Sequence, residues 1–268
     1  MPEINLPSAQ DELALLVDIG KQAGALALSF FGKNPETWLK EGNSPVTEAD
    51  FAVDAFLKEK LLQARPDYGW ISEETQDARP QKTRQRSFIV DPIDGTRGFI
   101  DGSKDWCVSI AIIEDGTTIA GVLECPALQE TYAAHKNGGA TCNDNPIHCS
   151  NRENAKDWVI SAKTYYMTKL KQEFAHNVNF YRFLPSLAYR IACVATGKID
   201  SVIVRPNCHD WDIAAADLIL KEAGGALITQ TDHFVHYGKK PYQHGLLIGT
   251  QKFARNDMIN IVHKLKLG

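Results

Sequence analysis

The N-terminal part of the chain shows hydrophobic residues at helical spacing, interrupted by one polar segment. Hydrophobic positions recur every three or four residues in 8–30 and again in 47–64, and each segment begins with a hydroxyl residue that can cap a helix. Two amphipathic helices are therefore predicted. The segment 36–45 between them is mostly polar and ends in turn residues, which predicts a loop. Lys40 lies in this loop and is expected to be solvated.

The pattern then becomes that of short strands. Asp115-Gly116 separates two apolar runs, which is a strong signal for a β-hairpin. The run that begins at Ser87 is expected to end at Asp91-Pro92, because proline cannot donate a hydrogen bond to a neighbouring strand. The predicted strands of this half are 68–72, 87–90, 105–113, 118–124 and 131–136.

Helical and extended patterns alternate in the second half of the chain. Helices are predicted over 184–196 and 211–223, and strands over 159–161, 199–204 and 226–229. Such alternation is typical of an α/β layer. The pattern changes near residue 145. We therefore expect an α+β half (1–145) with an antiparallel sheet and an α/β half (146–268), joined in one compact unit.

Composition excludes several classes of protein. The net charge of −4 and the isoelectric point of about 6.1 give no basic surface for direct nucleic-acid binding. Six scattered cysteines without a C-x-x-C pair favour reduced thiols in the cytoplasm over a zinc site. The N-terminus lacks the pattern of a signal peptide, and no continuous apolar run approaches the ~20 residues of a membrane span. The sequence therefore predicts a cytoplasmic protein without a membrane segment.

The stretch 89–99 contains the most informative polar residues. Asp91 and Asp94 follow an apolar strand closely, and two carboxylates on one turn repel each other unless a cation neutralises them. Oxygen ligands of this kind suit Mg²⁺. Gly95 and Thr96 come next and open a new element, so backbone N–H groups could bind a phosphate there. The same residues could instead form an ordinary Asp-Gly turn with an aspartate helix cap, which requires no metal and no substrate.

Further carboxylates also lie at predicted strand ends and helix starts. Glu73-Glu74 ends the strand 68–72, Asp50 lies in the first turn of the second helix, and Asp212 opens the helix 211–223. Each has a simpler explanation, since adjacent glutamates are common in loops and an acidic residue favours a helix N-terminus. Together, however, they can fold into one oxygen-rich cluster with the pair at 91 and 94.

Two separated motifs give the chain a family resemblance. D-P-I-D-G-T (91–96) and W-D-I-A-A-A-D (211–217), the latter followed by Gly224-Gly225, resemble the two signatures of the inositol monophosphatase superfamily. S-E-E (72–74) and V-T-E-A-D (46–50) fit its supporting motifs in order and spacing. The superfamily includes 3′(2′),5′-bisphosphate nucleotidases and fructose-1,6-bisphosphatases. The resemblance implies a layered α-β-α-β-α sandwich, often as a homodimer, and inhibition by Li⁺.

The resemblance also implies a metal site with two or three Mg²⁺ ions. Glu73, Asp91 and the backbone carbonyl of Ile93 would hold one ion, while Asp91, Asp94 and Asp212 would hold a second. A phosphomonoester dianion cannot approach so many carboxylates without cations, and Mg²⁺ also lowers the pKa of bound water. The implied activity is Mg²⁺-dependent hydrolysis of small phosphate monoesters, such as inositol-1-phosphate, by metal-activated water.

The implied catalytic residues are Thr96 and Asp50, which would orient the water, and Glu74 behind them. The residues assigned to substrate binding are Ile93, Asp94, Gly95, Thr96, Arg205 and Asp212.

Three departures from the family pattern concern the alcohol half of the substrate. Gly98 stands where many members have Asn, Pro185-Ser186 replaces Gly-Ser, and Arg205 stands where animal inositol monophosphatases carry an inositol-binding Glu. Arg205 and Lys163 could bind a second phosphate, as in a nucleotidase acting on adenosine 3′,5′-bisphosphate, or Arg205 could be a surface residue. A further function class stays open, because some bacterial relatives, the SuhB proteins, are regulatory partners of the transcription machinery.

Overall fold

The computed structural model describes residues 6–40, 44–76, 84–174 and 179–267. Its α-helices within these ranges are α1 (Ala9–Phe30), α2 (Glu48–Ala64), α3 (Thr96–Ile100), α4 (Thr164–Phe174), α5 (Leu187–Ala195), α6 (Asp210–Glu222) and α7 (Arg255–Lys264). The strands are β1 (Thr37–Leu39), β2 (Pro45–Thr47), β3 (Gly69–Ser72), β4 (Arg86–Asp94), β5 (Cys107–Glu114), β6 (Thr117–Cys125), β7 (Glu130–His135), β8 (Ala140–Cys142), β9 (Asn145–Pro146), β10 (Val159–Ser161), β11 (Asn179–Phe180), β12 (Ser201–Val204), β13 (Cys208–His209), β14 (Gly225–Thr229), β15 (Gln243–His244) and β16 (Leu247–Gln251).

The first half forms a seven-stranded sheet in the order β3-β4-β5-β6-β7-β8-β9. All neighbouring pairs are antiparallel except β3 and β4, which run parallel. The predicted hairpin is present as β5 and β6, and its turn places both Asp115 and Gly116 at positive φ. Positive φ at both central residues is the reason why Asp-Gly favours this kind of turn.

Strand β4 is longer than predicted. The expected end at Asp91-Pro92 is wrong, because pairing with β5 resumes at Asp94 after an irregularity. Asp91 pairs with Ser109 and Asp94 with Cys107, so β4 has one residue more than β5 between these two pairs. Pro92 lies in this β-bulge, where no ladder hydrogen bond is required of it.

Both faces of the large sheet are covered by helices. Alternate residues of β5 point to opposite sides: Ile110 and Ile112 pack with α1 and α2, whereas Ala111 and Ile113 pack with α5 and α6. The backbone of β6 approaches α6 closely, since a Cβ added at Gly121 would lie 3.0 Å from the Cα of Ala215. A sheet that is buried on both faces explains why its strands are nearly continuous apolar runs.

A second sheet lies on the other side of α5 and α6. Its order is β11-β10-β12-β16-β14, and β16 runs antiparallel to both neighbours. Val202 and Leu247 face α5 and α6, while Ile203 and Ile248 face α4 and α7. The layers are thus helix pair, sheet, helix pair, sheet, helix pair, which confirms the predicted α-β-α-β-α sandwich. The division near residue 145 stays a prediction.

Several elements were not predicted from the sequence. The segment 36–45 was assigned to a loop but contributes the antiparallel pair β1 and β2. Nothing was predicted for α4, β16 or α7. Strands of three residues and one central strand without alternation give little periodic signal, which explains the omitted strands.

Helix α1 is long and apolar enough to cross a membrane, judged by length and composition alone. In the fold, Leu16, Ala23 and Ala27 of this helix are fully buried in the core between α2 and the large sheet. A core helix of a water-soluble protein meets the same criterion, so this is weak evidence for a membrane segment.

Candidate active site

Three carboxylates meet beside the end of β4. Oxygens of Asp91, Asp94 and Asp212 all lie within 4.8 Å of one another. Residues three apart on a regular strand point to opposite faces, so the bulge in β4 is what brings Asp91 and Asp94 to the same side. Asp212 arrives from the first turn of α6.

Each of the three side chains is held in place by hydrogen bonds. Asp91 Oδ1 accepts from its neighbour, the N–H of Ile93, at 3.0 Å. Asp94 Oδ2 accepts from the backbone N–H of Ala188 at 2.7 Å and from the hydroxyl of Ser186. Asp212 Oδ2 accepts from the N–H of His209 at 2.7 Å, as part of the cap of α6. The remaining carboxylate oxygens are available to a cation.

Burial and mutual repulsion oppose the charged forms of these carboxylates. Burial and the charges of Glu73, Asp94 and Asp212 raise the pKa of Asp91 well above its ordinary value. Burial raises the pKa of Asp94 to about 6, against the hydrogen bonds that favour its charge. The pKa of Asp212 is also raised well above its ordinary value, by burial and then by the charge of Asp94. Hard oxygen donors that are difficult to ionise together fit a divalent cation such as Mg²⁺.

Glu73 and Glu74 lie beside this cluster and share a lysine. The ammonium of Lys40 is 2.8 Å from Glu73 Oε1 and 2.5 Å from Glu74 Oε1. The expectation that Lys40 is a solvated surface lysine is therefore wrong. Burial and then the charge of Glu73 raise the pKa of Glu74 to about 7. Burial opposes the charge on Lys40, but the two glutamates overcome it and raise its pKa.

Thr96 and Asp50 are in contact, although 46 residues separate them. The Thr96 hydroxyl lies 3.2 Å from Asp50 Oδ1 and 3.0 Å from the carbonyl oxygen of Ile93. Asp50 is fully buried, and its Oδ2 accepts hydrogen bonds from the N–H and hydroxyl of Thr47 at 2.7 and 2.6 Å. The capping role of Asp50 and its contact with Thr96 thus coexist, because each uses a different carboxylate oxygen.

Gly95 occupies a backbone position that suits glycine for two reasons. Its φ is +96°, in the left-handed region, and a Cβ added there would lie 3.0 Å from the backbone nitrogen of Ser186. The short helix α3 starts directly after it, at Thr96. The start of α3 therefore packs tightly against the start of α5.

A cavity of about 360 Å³ opens over the carboxylates. Four cationic side chains line it as well: Arg97, Lys163, Arg190 and Arg205. Burial and then the positive charges of Arg205, Arg190 and Arg97 lower the pKa of Lys163. Burial lowers the pKa of Arg190 to about 10, although the charge of Asp94 opposes this change. Arg205 is exposed to solvent and borders the cavity, a position that is compatible with either interpretation of this residue.

Two of the departures from the family pattern turn out to be one structural feature. A Cβ added at Gly98 would lie 2.7 Å from Cβ of Pro185, which is closer than real Cβ contacts allow. Pro185 also lines the cavity. The absence of a side chain at position 98 therefore makes room for the proline at 185.

Sequence reasoning did not single out Ser186 and Arg190 as site residues, and it treated Lys40 as a surface lysine. Two of these residues contact partners that are remote in the chain: Ser186 contacts Asp94, and Lys40 contacts Glu73. The capping position of Ser186 before α5 was the one available signal, and it predicts a helix start rather than a site.

The comparisons with known proteins agree with this geometry. The family model described as "Inositol monophosphatase family" matches residues 9–266. The chain belongs to the inositol monophosphatase family. The resemblance inferred from the two sequence motifs is thereby confirmed. The family is one of metal-dependent phosphatases, and the three clustered carboxylates are able to bind a metal.

The relatives carry several different names. The chain is 31% identical over 254 residues to an inositol-1-monophosphatase of Rhizobium meliloti (strain 1021), covering 91% of this chain and 93% of the relative. It is 29% identical to the 3′(2′),5′-bisphosphate nucleotidase CysQ of Aggregatibacter actinomycetemcomitans, over 90% of this chain and 91% of the relative. The solved structure of the extragenic suppressor protein suhB from Bartonella henselae is 28% identical, has a TM-score of 0.84, and matches over 95% of this chain and 99% of its own.

Proposed function

We propose that this protein is a Mg²⁺-dependent phosphomonoesterase that hydrolyses small phosphate monoesters such as inositol-1-phosphate. The observation that supports the proposal best is the cluster of Asp91, Asp94 and Asp212, whose oxygens lie within 4.8 Å of one another at the floor of the cavity. Because the chain belongs to a family of metal-dependent phosphatases, we interpret this cluster as the metal site for phosphate-ester hydrolysis.

In this proposal, two or three Mg²⁺ ions are held by carboxylates and one backbone carbonyl. Glu73, Asp91 and the carbonyl of Ile93 would hold one ion, and Asp91, Asp94 and Asp212 would hold a second. Bound Mg²⁺ supplies positive charge that lowers the pKa of water and stabilises the leaving oxygen. Lys40 contacts Glu73 Oε1, so an ion held by Glu73 would use its other oxygen, Oε2, or displace the lysine.

Thr96 and Asp50 are proposed to position the attacking water. The Thr96 hydroxyl has a single proton, which can go either to Asp50 Oδ1 or to the Ile93 carbonyl. A donation to Asp50 leaves the lone pairs of the hydroxyl directed at a water in the cavity. Glu74 is 3% exposed and is proposed to support this arrangement from behind, through its ion pair with Lys40.

Substrate binding is assigned to residues on the cavity wall. The backbone N–H groups of Gly95 and Thr96 are proposed to bind the phosphate, beside Ile93, Asp94 and Asp212. Arg205 is proposed to contact the alcohol half of the substrate from the exposed edge of the cavity.

A second candidate is a 3′(2′),5′-bisphosphate nucleotidase acting on adenosine 3′,5′-bisphosphate. Two observations favour it: Lys163 and Arg205 both line the cavity, and one relative is named as such a nucleotidase. The discriminating experiment compares kcat/KM for inositol-1-phosphate and adenosine 3′,5′-bisphosphate, with wild type and Arg205→Ala. A preference for the nucleotide above about tenfold, roughly 1.4 kcal/mol of transition-state binding, which Arg205→Ala removes, would favour the nucleotidase.

A function of another class is a regulatory partnership with the transcription machinery, which is suggested by similarity to a relative named Nus factor SuhB. Phosphate release by the purified protein alone, dependent on Mg²⁺ and inhibited by Li⁺, supports the enzyme. Release that persists in a chelator, or no release from any phosphomonoester, contradicts it. A cytoplasmic location and a homodimer are part of the same proposal, and size-exclusion chromatography with light scattering tests the latter.

A further inference from the structure

Asp210 is a buried carboxylate that has no part in the proposed reaction. It is the first residue of α6 and is 1% exposed. Asp212 lines the cavity and Asp210 does not, because side chains two residues apart on a helix point to different sides. A carboxylate that is removed from water is costly unless hydrogen bonds stabilise it. The partners of Asp210 therefore indicate what an acidic residue does at this position.

Both carboxylate oxygens of Asp210 bind the same loop, residues 230–246, which connects β14 to β16. Oδ1 lies 2.6 Å from Nε2 of His244, and Oδ2 accepts from the backbone N–H of Gly238 at 2.7 Å. Since a carboxylate only accepts hydrogen bonds, Nε2 of His244 is the donor. The backbone N–H of Asp210 in turn donates to the carbonyl oxygen of Tyr242 at 2.9 Å. One residue thus ties the start of α6 to three points of the loop.

The same loop is paired with the residues that precede α6. Strand β15 of the loop lies antiparallel to β13, with His244 opposite Cys208. The N–H of Asn207 donates to the carbonyl oxygen of His244 at 2.8 Å. His209, the second residue of β13, donates its N–H to Asp212 at 2.7 Å. The placement of Asp212 in the cavity therefore depends on how the loop holds the start of α6.

Asp212 needs this support because the neighbouring carboxylates repel it. Like charges repel, and oxygens of Asp91, Asp94 and Asp212 lie within 4.8 Å of one another. Asp212 belongs to the first turn of α6, and the ends of a helix open more easily than its middle. Farther along, α6 is fixed in the core, where Ala215 and Ile219 are fully buried. The first turn is thus the part of α6 that repulsion could displace.

We propose that Asp210 and His244 form a clamp that fixes the start of α6, so that Asp212 is held beside Asp91 and Asp94 before a metal ion binds. This inference rests on the proposed function, because it treats Asp212 as a metal ligand. Asp210 and His244 do not line the cavity, so they are positioning residues. Groups that hold a metal ligand from behind typically contribute about 10- to 100-fold to metal affinity.

Mg²⁺ binding to the metal-free protein, followed by calorimetry, tests the clamp without catalysis. His244→Ala removes the donor to Asp210, so we expect Mg²⁺ binding to weaken at least about tenfold. His244→Gln should stay within about threefold of wild type, because its amide nitrogen can also donate to Asp210. Tyr237→Phe is the matched control, since it removes a 2.7 Å hydrogen bond from the same loop to Asp217, farther along α6. It should lower the Tm and leave the Mg²⁺ affinity within about twofold of wild type.

The Mg²⁺ dependence of phosphate release from inositol-1-phosphate distinguishes positioning from a general loss of structure. In His244→Ala, the Mg²⁺ concentration that gives the half-maximal rate should rise by about tenfold or more. The rate at saturating Mg²⁺ should stay within about threefold of wild type, because bound Mg²⁺ draws Asp212 back to its place. A rate that is lower at every Mg²⁺ concentration, with an unchanged half-maximal concentration, would show a structural role and overturn the proposal. Equal losses of Mg²⁺ affinity in His244→Ala and Tyr237→Phe would overturn it as well.

Amide hydrogen exchange in a chelator separates this inference from the proposed function. The N–H groups of His209 and Asp210 are both hydrogen-bonded, so they should exchange slowly in wild type. His244→Ala should speed their exchange by about tenfold or more, whereas Tyr237→Phe should not. If wild type binds no Mg²⁺, the proposed function is refuted, and the exchange rates still decide whether the clamp exists. Unchanged exchange in His244→Ala would refute the clamp, and faster exchange with unchanged Mg²⁺ affinity would refute its effect on Asp212.

Discussion

Replacing Asp91 by asparagine should separate the metal site from the stability of the fold. Asparagine keeps the oxygen that accepts the hydrogen bond from Ile93, so the local backbone should not change. What is lost is one negative charge beside Asp94 and Asp212. We expect Asp91→Asn to abolish turnover, to weaken Mg²⁺ binding and, without metal, to stabilise the protein.

The size of this stabilisation follows from the geometry. Two unit charges 4.8 Å apart repel by about 3.5 kcal/mol at an effective dielectric of 20. The metal-free protein avoids part of this repulsion by taking up protons. We therefore expect Asp91→Asn to gain about 2–3 kcal/mol at pH 8, or about 4–10 °C in Tm.

The effect must depend on pH in one direction. The folded-state pKa values of Asp91, Asp94 and Asp212 are raised, so their protonated forms favour the folded protein. The contribution of these carboxylates to the free energy of unfolding is therefore most favourable below about pH 4. It falls as the pH rises through the folded-state pKa values, of which that of Asp94 is about 6. The advantage of Asp91→Asn should be largest near pH 8 and vanish toward pH 4.

The assay is thermal unfolding between pH 4 and 8.5, in a chelator and in saturating Mg²⁺. Asp67→Asn, at an exposed position, is the matched control and should not differ from wild type. In Mg²⁺ the order should reverse, because wild type gains more binding free energy than the variant. A lower Tm for Asp91→Asn in the chelator, or a difference that does not change with pH, would refute the reasoning. Near-normal turnover of Asp91→Asn would refute the assignment of the metal site.

Three further predictions concern other residues of the cavity. Thr96→Ala should lower kcat by about 10²-fold with little change in KM, whereas Thr96→Ser should keep most activity; a change in KM alone would assign Thr96 to substrate binding. Gly98→Asn should cost about 1–3 kcal/mol in chemical denaturation through its clash with Pro185, and adding Pro185→Gly should recover most of that loss; additive losses would contradict the contact. Arg190→Met should raise the Tm of the ligand-free protein, because it removes an unpaired buried charge at a scale of about 1–3 kcal/mol, and a lower Tm would show that the guanidinium is stabilising.

The elements that sequence reasoning found are those with strong local signals. Helices α1, α2 and α6 each have a capping residue and an apolar face that repeats over three turns or more. The β5–β6 hairpin has its Asp-Gly turn. The end of β4 was misplaced because proline was expected to end the strand. That expectation assumes regular pairing with the neighbouring strand, and β4 instead has a β-bulge at Pro92. A β-bulge is defined by the register between two strands, so the sequence of one strand alone does not predict it.

The acidic half of the site could be predicted, because its residues lie in short motifs at strand ends and helix starts. Asp91 and Asp94 were paired from the sequence, and the structure brings Asp212 to them. The ion pairs of Lys40 could not be predicted, since the loop that carries it packs against residues 33 positions away. Gly98 and Pro185 were noticed as separate departures, and only their contact explains both.

The cavity has an acidic end at Asp91, Asp94 and Asp212, and cationic side chains line the rest of its wall. A phosphate ester could approach the acidic end only where bound cations compensate the carboxylates. Hydrolysis also requires a positioned water, and the contact between Thr96 and Asp50 lies only at the acidic end. In the proposed reaction, the phosphate that is cleaved would therefore lie at this end, next to Thr96. The repulsion among the carboxylates of the ligand-free protein would be relieved by the cations that they bind.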